Sequence, residues 1–238
     1  MFDSIKKKFQ FKFKDRTFAA NILAVALQDL LKKDKGRKTS NIIVLGIPRG
    51  GLIVADIVAT KLKAEFDIII PRKLRIPHNE EAAFGAIMED GTVYIDNRIA
   101  KDLNISAEYI EREKNIQLQE IERRSSIYRR KQLSLLKDKI NDKTIIILVD
   151  DGAASGATVI AAARSLRTVF TQEKLIIGLP VAPKETVDLL KKEADHVEVV
   201  TTPSSFFNSV GQYYQSFESV SDENVIQIMK NRNLIDLY

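Results

Sequence analysis

The chain has 238 residues, 45% hydrophobic and 29% charged, which bounds it to one large domain, or one domain with an appended piece, with ample core. No apolar run approaches the roughly 20 residues of a membrane helix, and the absence of cysteine excludes disulfides, thiol nucleophiles and thiolate metal sites. The net charge of +5 comes from 37 basic residues interspersed with 32 acidic ones, which argues against nucleic acid as the partner and is compatible with a cleft for a polyphosphate.

The first sixteen residues are basic but lack an apolar core and a small-residue cleavage site, so no secretory signal is read and a cytoplasmic protein is expected. From 15 to 33, Phe18, Ile22, Val25, Leu27, Leu30 and Leu31 recur at helical spacing, and Lys35-Gly36-Arg37 closes that helix. Asn41 to Gly46 is a short apolar strand running into Ile47-Pro48-Arg49-Gly50-Gly51, after which Ile53, Val54, Ile57, Val58 and Leu62 mark a helix. Asp67 to Ile70 reads as the next parallel strand. It leads into Pro71 to Glu81, a segment with the cations Arg72, Lys73 and Arg75, and with His78. Gly85 to Met88 and Thr92 to Ile95 flank Glu89-Asp90-Gly91 as a hairpin.

Residues 106 to about 137 read as one long charged helix or a helical pair, N-capped by Ser106, with a narrow stripe of Ile110, Leu118, Ile121 and Tyr128. Such a helix suits either a solvated connector or a contact with a second subunit. The most informative stretch follows. Ile145 to Val149 is an unbroken apolar run, as a strand buried on both faces of a parallel sheet reads. It ends at Asp150 and Asp151, passes through the small-residue loop from Gly152 to Gly156, and becomes helical, with Val159, Ile160, Ala163, Leu166 and Phe170 in phase. In open α/β sheets ligands bind where such loops lie, at the carboxyl ends of the strands. Backbone amides and the hydroxyls of Ser155 and Thr158 suit an anion. The carboxylates need hydroxyl donors or a cation, since they repel an anion by roughly 4 kcal/mol at 4 Å in an effective dielectric of 20. A ribose 5-phosphate supplies both, and a divalent metal can share the acidic edge. A receiver domain carries its acids after the first strand, but more than 140 residues precede these, and no Gly-Lys-Ser/Thr of a nucleotide-triphosphatase loop occurs.

The stretch IILVDDGAASGAT resembles the phosphoribosyl-pyrophosphate (PRPP) motif of type I phosphoribosyltransferases, and GIPRGG resembles their pyrophosphate loop. The resemblance implies an α/β fold with a parallel sheet of about five strands and flanking helices, a β-hairpin flexible loop and a small hood built from the chain termini. The single domain spans 1–238, with its core at about 41–203, hood segments at about 1–40 and 204–238, and a helical insertion at about 106–137. By the same resemblance Asp150 and Asp151 fix the ribose, and Gly152, Ala153, Ala154, Ser155, Gly156, Ala157 and Thr158 hold the 5-phosphate. Arg49, Gly50, Gly51, Arg72 and Lys73 bind the pyrophosphate. Arg72, Lys73, Asp150 and Asp151 form the catalytic set, and Mg²⁺ is the cofactor, held by Asp150 and Asp151 mostly through substrate and water. Arg75 and His78 are secondary candidates in the mobile segment.

The implied activity is phosphoribosyl transfer to a nitrogenous, base-like acceptor with release of diphosphate, in a homodimeric enzyme of nucleotide metabolism. The alternative is a PRPP- or nucleotide-sensing regulator without turnover. Strands at Leu175 to Val181 and His196 to Thr201, with a helix between them, complete the sheet. Residues Ser204 to Phe217 place five aromatics in a Ser/Gln/Gly-rich stretch, suited either to stacking on the acceptor or to packing the tail on the sheet, and Ser221 starts a last short helix. No hood pattern identifies the acceptor.

Overall fold

The computed structural model describes residues 12–33, 41–129, 140–172, 174–203 and 207–235. Expectations for the first eleven positions, for Lys35-Gly36-Arg37, for residues 130–137 and for Ser204 to Phe206 lie outside them. The described chain runs α1 (Arg16–Lys33), β1 (Asn41–Gly46), α2 (Gly50–Leu62), β2 (Glu65–Ile68), β3 (Arg72–Ile76), β4 (Asn79–Ile87), β5 (Val93–Ile95), α3 (Asn97–Asp102), α4 (Ala107–Tyr128), β6 (Thr144–Val149), α5 (Ala157–Val169), β7 (Lys174–Val181), α6 (Lys184–Leu190), β8 (His196–Thr201) and α7 (Asp222–Asn231). A 3₁₀ turn at Val210–Tyr213 precedes α7.

Five strands form one parallel sheet in the order β2-β1-β6-β7-β8. The central strand β6 is buried at every position, as its unbroken apolar run requires of a strand covered on both faces. Successive side chains of a strand point to opposite faces, and β6 divides accordingly. Ile146 and Leu148 join a core with Val159, Ile160 and Leu166 of α5. Ile145, Ile147 and Val149 join a second core with Leu23 and Leu27 of α1, Val58 of α2 and Met229 of α7. The edge strand β2 lies slightly earlier than the apolar run suggests: it pairs with β1 from Ile43↔Glu65 to Gly46↔Ile68, and Ile69 and Ile70 continue into the core.

The basic segment from Pro71 to Glu81 forms β3, a turn and the start of β4, so the expected hairpin starts earlier and belongs to an antiparallel sheet β3-β4-β5. The turn between β4 and β5 falls where expected, with Gly91 at φ +83° and Asp90 accepting from the Thr92 amide at 2.9 Å. This small sheet wedges between α4 and α5, because β3 presents Leu74 and β4 presents Phe84 and Ile87 to one core while Ala86 faces the other.

Helix α4 keeps the expected apolar stripe, with Ile121 and Tyr128 buried and Ile110 and Leu118 packed against the core, and adds buried polar residues to it. Its buried residues are Glu113, Gln117, Ile121, Arg124 and Tyr128, at spacings of four, four, three and four. The inward face is therefore mixed, polar as well as apolar, and it lies against β3 of the same chain. At the ends of the chain, Phe13 pairs with Tyr214: the Phe13 amide donates to the Tyr213 carbonyl at 2.8 Å, and the Gln215 amide donates to the Phe13 carbonyl at 2.8 Å.

Candidate active site

The sheet brings the two glycine loops together. β1 and β6 are adjacent and in register from Asn41↔Thr144 to Gly46↔Val149, so the Arg49-Gly50-Gly51 loop and the Asp150-Asp151 pair leave neighbouring strands at the same level. A Cβ on Gly50 lies 2.0 Å from Asp151 Oδ2, and one on Gly51 lies 2.5 Å from Asp150 Oδ1 and 2.8 Å from the Asp150 Cα. Real side chains do not approach so closely, so glycine at both positions is what lets the acids seat against the loop. The Pro48–Arg49 peptide is cis.

The two carboxyl groups stand side by side at the strand end. Asp150 Oδ1 accepts from the Asp151 amide at 2.8 Å, and Asp151 Oδ2 accepts from Arg16 Nε at 2.7 Å. Among the described residues Arg16 is the one side-chain cation bonded to the pair, and the two carboxyl groups lie within hydrogen-bonding reach of each other. Burial, with Asp151 alongside, pushes the Asp150 carboxyl well above the ordinary carboxylate range; Lys73 on β3 acts in the opposite direction. The pair is thus short of positive charge.

The following loop is built from its glycines outward. Gly152, at φ +153°, packs where a Cβ would strike Val181 and Val210, and the Ala153 amide donates to the Val181 carbonyl at 3.0 Å. Thr186 of α6 donates its hydroxyl to the Ala154 carbonyl. Gly156, at φ +75°, turns the chain into α5, whose first turn holds Ala157 and Thr158. Ala154 and Ser155 are exposed at the loop tip. The first-turn amides of a helix have no intrahelical acceptor, and with the helix dipole they favour an anion.

The predicted cations divide. Lys73 is exposed and bears electrostatically on Asp150. Arg72 is half-buried and donates from Nε to Gln117 Oε1 at 3.0 Å. Burial and the nearby Arg124 bring its guanidinium down to about 10, and Arg75 and Arg49 also act on it. Arg49 reaches Asp222 Oδ1 at 3.3 Å. Arg75 is tied at its backbone, its amide donating to Glu113 Oε1 at 3.0 Å and its carbonyl accepting from Tyr109 at 3.1 Å. His78 occupies the exposed β3–β4 turn at φ +63°.

Sequence reasoning missed the residues that hold these groups. Gln117 donates to Glu113 at 2.9 Å, so α4 links Arg72 to the Arg75 backbone through two buried polar side chains. Glu120 binds Arg123 and Arg124 at 2.8 and 2.7 Å, which holds its carboxyl down at about 2. Asp222, at the start of α7, accepts from Tyr128 as well as Arg49, and burial together with that bond lifts the Tyr128 phenol to about 12. The signal available in sequence was the 113-117-121-124-128 spacing, a helical stripe of which a search for apolar residues finds only Ile121 and Tyr128. Arg16 and Tyr214, which reach Asp151 from the two ends of the chain, carried no comparable signal.

Among the described residues no group of three or more His, Asp or Glu is arranged to hold a metal ion by itself. The Asp150–Asp151 pair fits a hard cation that draws its remaining ligands from substrate oxygens and water, as Mg²⁺ commonly does.

Comparison with known proteins identifies the family. Residues 19–216 match the family profile described as a phosphoribosyl transferase domain. A protein of Mycobacterium tuberculosis, provisionally named a phosphoribosyl transferase in two strains, is 35% identical over 218 residues, covering 91% of this chain and 46% of that protein. The chain thus spans about half the length of the curated relatives it matches. The crystal structure of TT1426 from Thermus thermophilus is similar at 33% identity and a TM-score of 0.70, covering 93% of this chain and 99% of that one.

Proposed function

For this chain, which belongs to the phosphoribosyl transferase family, we propose a PRPP-dependent transferase that moves ribose 5-phosphate to a nitrogenous, base-like acceptor and releases diphosphate. The observation that carries the reading is the contact between the two loops: Gly50 and Gly51 lie against the carboxylates of Asp151 and Asp150, at the carboxyl ends of adjacent parallel strands. In support of it, a helix start suited to an anion and the acidic pair follow strand β6, and the cation-bearing Arg49 follows the adjacent β1, where open α/β sheets bind ligands.

In this reading the amides of Gly152 to Thr158, with the Ser155 and Thr158 hydroxyls, hold the 5-phosphate. The carboxylates of Asp150 and Asp151 accept the two ribose hydroxyls. The bond from the anomeric carbon to the diphosphate oxygen breaks while the acceptor nitrogen bonds to the opposite face of that carbon, so the centre inverts through an oxocarbenium-like state. No protein nucleophile is required, and the contribution of the chain is positioning and charge placement. Arg49, Arg72 and Lys73, with the Gly50 and Gly51 amides, hold the departing diphosphate and offset its growing charge. Mg²⁺ on the acidic pair would neutralise diphosphate oxygens.

The acceptor side falls to the terminal segments. Phe207 stacks on Tyr213 with centroids 4.9 Å apart, and Tyr214 and Phe217 lie 4.8 Å apart. These rings serve the hood's packing as well as its surface. The test is calorimetric titration with PRPP and Mg²⁺, followed by a screen of nitrogenous bases for diphosphate release. PRPP binding with turnover on one base class is the expected result. Binding without turnover on any base would make the protein a sensor of PRPP, and absence of binding would remove the assignment.

A further inference from the structure

Arg16 opens α1, 135 positions before Asp151, yet it reaches the centre of the site. Its Nε donates to Asp151 Oδ2 at 2.7 Å, with the two side chains 10% and 14% exposed. Its Nη1 donates to the Glu218 carbonyl at 2.8 Å. The guanidinium carbon lies 3.7 Å from the centroid of the Phe217 ring, and Phe217 leans on Tyr214, whose hydroxyl donates to the Asp151 carbonyl at 2.6 Å. A Cβ on Gly50 would sit 2.8 Å from Arg16 Nε, so the absent side chain of Gly50 makes room for the arginine as well as for the acid.

The segments around Arg16 and Tyr214 thereby converge on one residue, Arg16 on its carboxylate and Tyr214 on its backbone carbonyl. The Phe13–Tyr214 pairing aligns the two terminal segments, and they present a guanidinium and a phenol to the same residue. Arginine suits the task because its planar fork binds a carboxylate and a carbonyl while its face stacks on an aromatic ring, which an ammonium group cannot reproduce. The bond to Oδ2 also fixes the orientation of the Asp151 carboxylate. A neighbouring pair of carboxylates beside an incoming phosphate carries excess negative charge, and Arg16 offsets part of it.

Resting on the sugar-phosphate reading of the site, we propose that Arg16 is a positioning residue for ribose binding: it sets the rotamer and offsets the charge of Asp151, so that a ribose 5-phosphate can seat its hydroxyls on the acidic pair. A merely structural ion pair would stabilise the fold and affect every ligand alike. The positioning role is selective for the sugar.

The experiment is titration of wild type, Arg16→Gln and Arg16→Lys with ribose 5-phosphate and, separately, with inorganic diphosphate and Mg²⁺. Loss of a buried charge-assisted hydrogen bond predicts about 10- to 100-fold weaker ribose 5-phosphate binding by Arg16→Gln, with diphosphate affinity unchanged and partial recovery in Arg16→Lys. If Arg16→Gln does not fold, Arg16→Lys carries the test, with ribose 5-phosphate weakened several-fold and diphosphate unaffected. Equal loss of both ligands, unchanged sugar affinity or tighter sugar binding would each overturn the proposal, the last by making Arg16 a plug. A wild type that ignores ribose 5-phosphate removes the proposed function with it, whereas a wild type that binds beside an indifferent variant removes only the role of Arg16.

Discussion

Asp150 and Gly51 show how closely chemistry and stability oppose each other at single positions. Asp150 is held beside another carboxyl group in a buried setting that raises its proton affinity, so the unliganded fold is destabilised whenever Asp150 is ionised. The sign follows: a carboxyl whose folded value lies above its unfolded one costs nothing at low pH, and the cost grows as pH rises through that interval. Asp150→Asn is therefore expected to raise the melting temperature of the unliganded protein at neutral pH while abolishing measurable PRPP affinity in calorimetry. A fall in melting temperature would contradict this account of the acid. Gly51→Ala acts the other way. Its Cβ meets the Asp150 backbone at 2.8 Å, which cannot swing aside as a side-chain tip can. The expected cost is about 1–3 kcal/mol in chemical denaturation, with weakened binding of both PRPP and diphosphate.

Helix α4 and strand β3 are where periodicity told only part of the packing. A charged helix with a thin apolar stripe reads as solvated, and a Pro-flanked basic segment reads as loop, because each is judged without the other. Together they satisfy one another: Arg72 donates to Gln117, Gln117 to Glu113, and Glu113 accepts from the Arg75 amide. A buried polar network of this kind is stable only while each member keeps its partner. Gln117→Leu leaves Arg72 and Glu113 short of a bond, with an expected cost of about 1–3 kcal/mol. Because Arg72 also loses its fixed direction, diphosphate affinity should fall in the same variant while ribose 5-phosphate affinity holds. Equal affinity for diphosphate before and after the substitution would detach α4 from the site. The sequence therefore told correctly that a helix begins at Ser106, whose side chain accepts from the Tyr109 amide at 3.1 Å, but not that it buries polar side chains beside its apolar stripe.

For the whole molecule, the segments around Phe13 and Tyr214 pair with each other and reach Asp151. Phe13 is fully buried, with its ring 5.4 Å from that of Tyr214, and its backbone pairing holds Arg16 and Tyr214 in line with Asp151. Phe13→Ala is expected to cost about 3–5 kcal/mol by denaturant titration, and to weaken ribose 5-phosphate binding as the arginine loses its support. Unaltered sugar binding in a folded Phe13→Ala protein would show the ends to be energetically separate from the site. The parts legible in sequence were those that local pattern dictates. An unbroken apolar run has to be covered on both faces, so Ile145 to Val149 announced the sheet, and the small residues and acids that follow it announced a tight strand-to-helix loop. The glycines of the Arg49-Gly50-Gly51 loop marked a second close approach without saying what approaches. Only the packed chain decides that these two loops leave adjacent strands side by side, that α4 buries polar side chains beside its apolar stripe, and that Arg16 and Tyr214 converge on Asp151. The physical reason is that hydrophobic periodicity records which atoms leave water, whereas ion pairs and hydrogen bonds between residues 135 and 63 positions apart depend on directions fixed only after the core has closed.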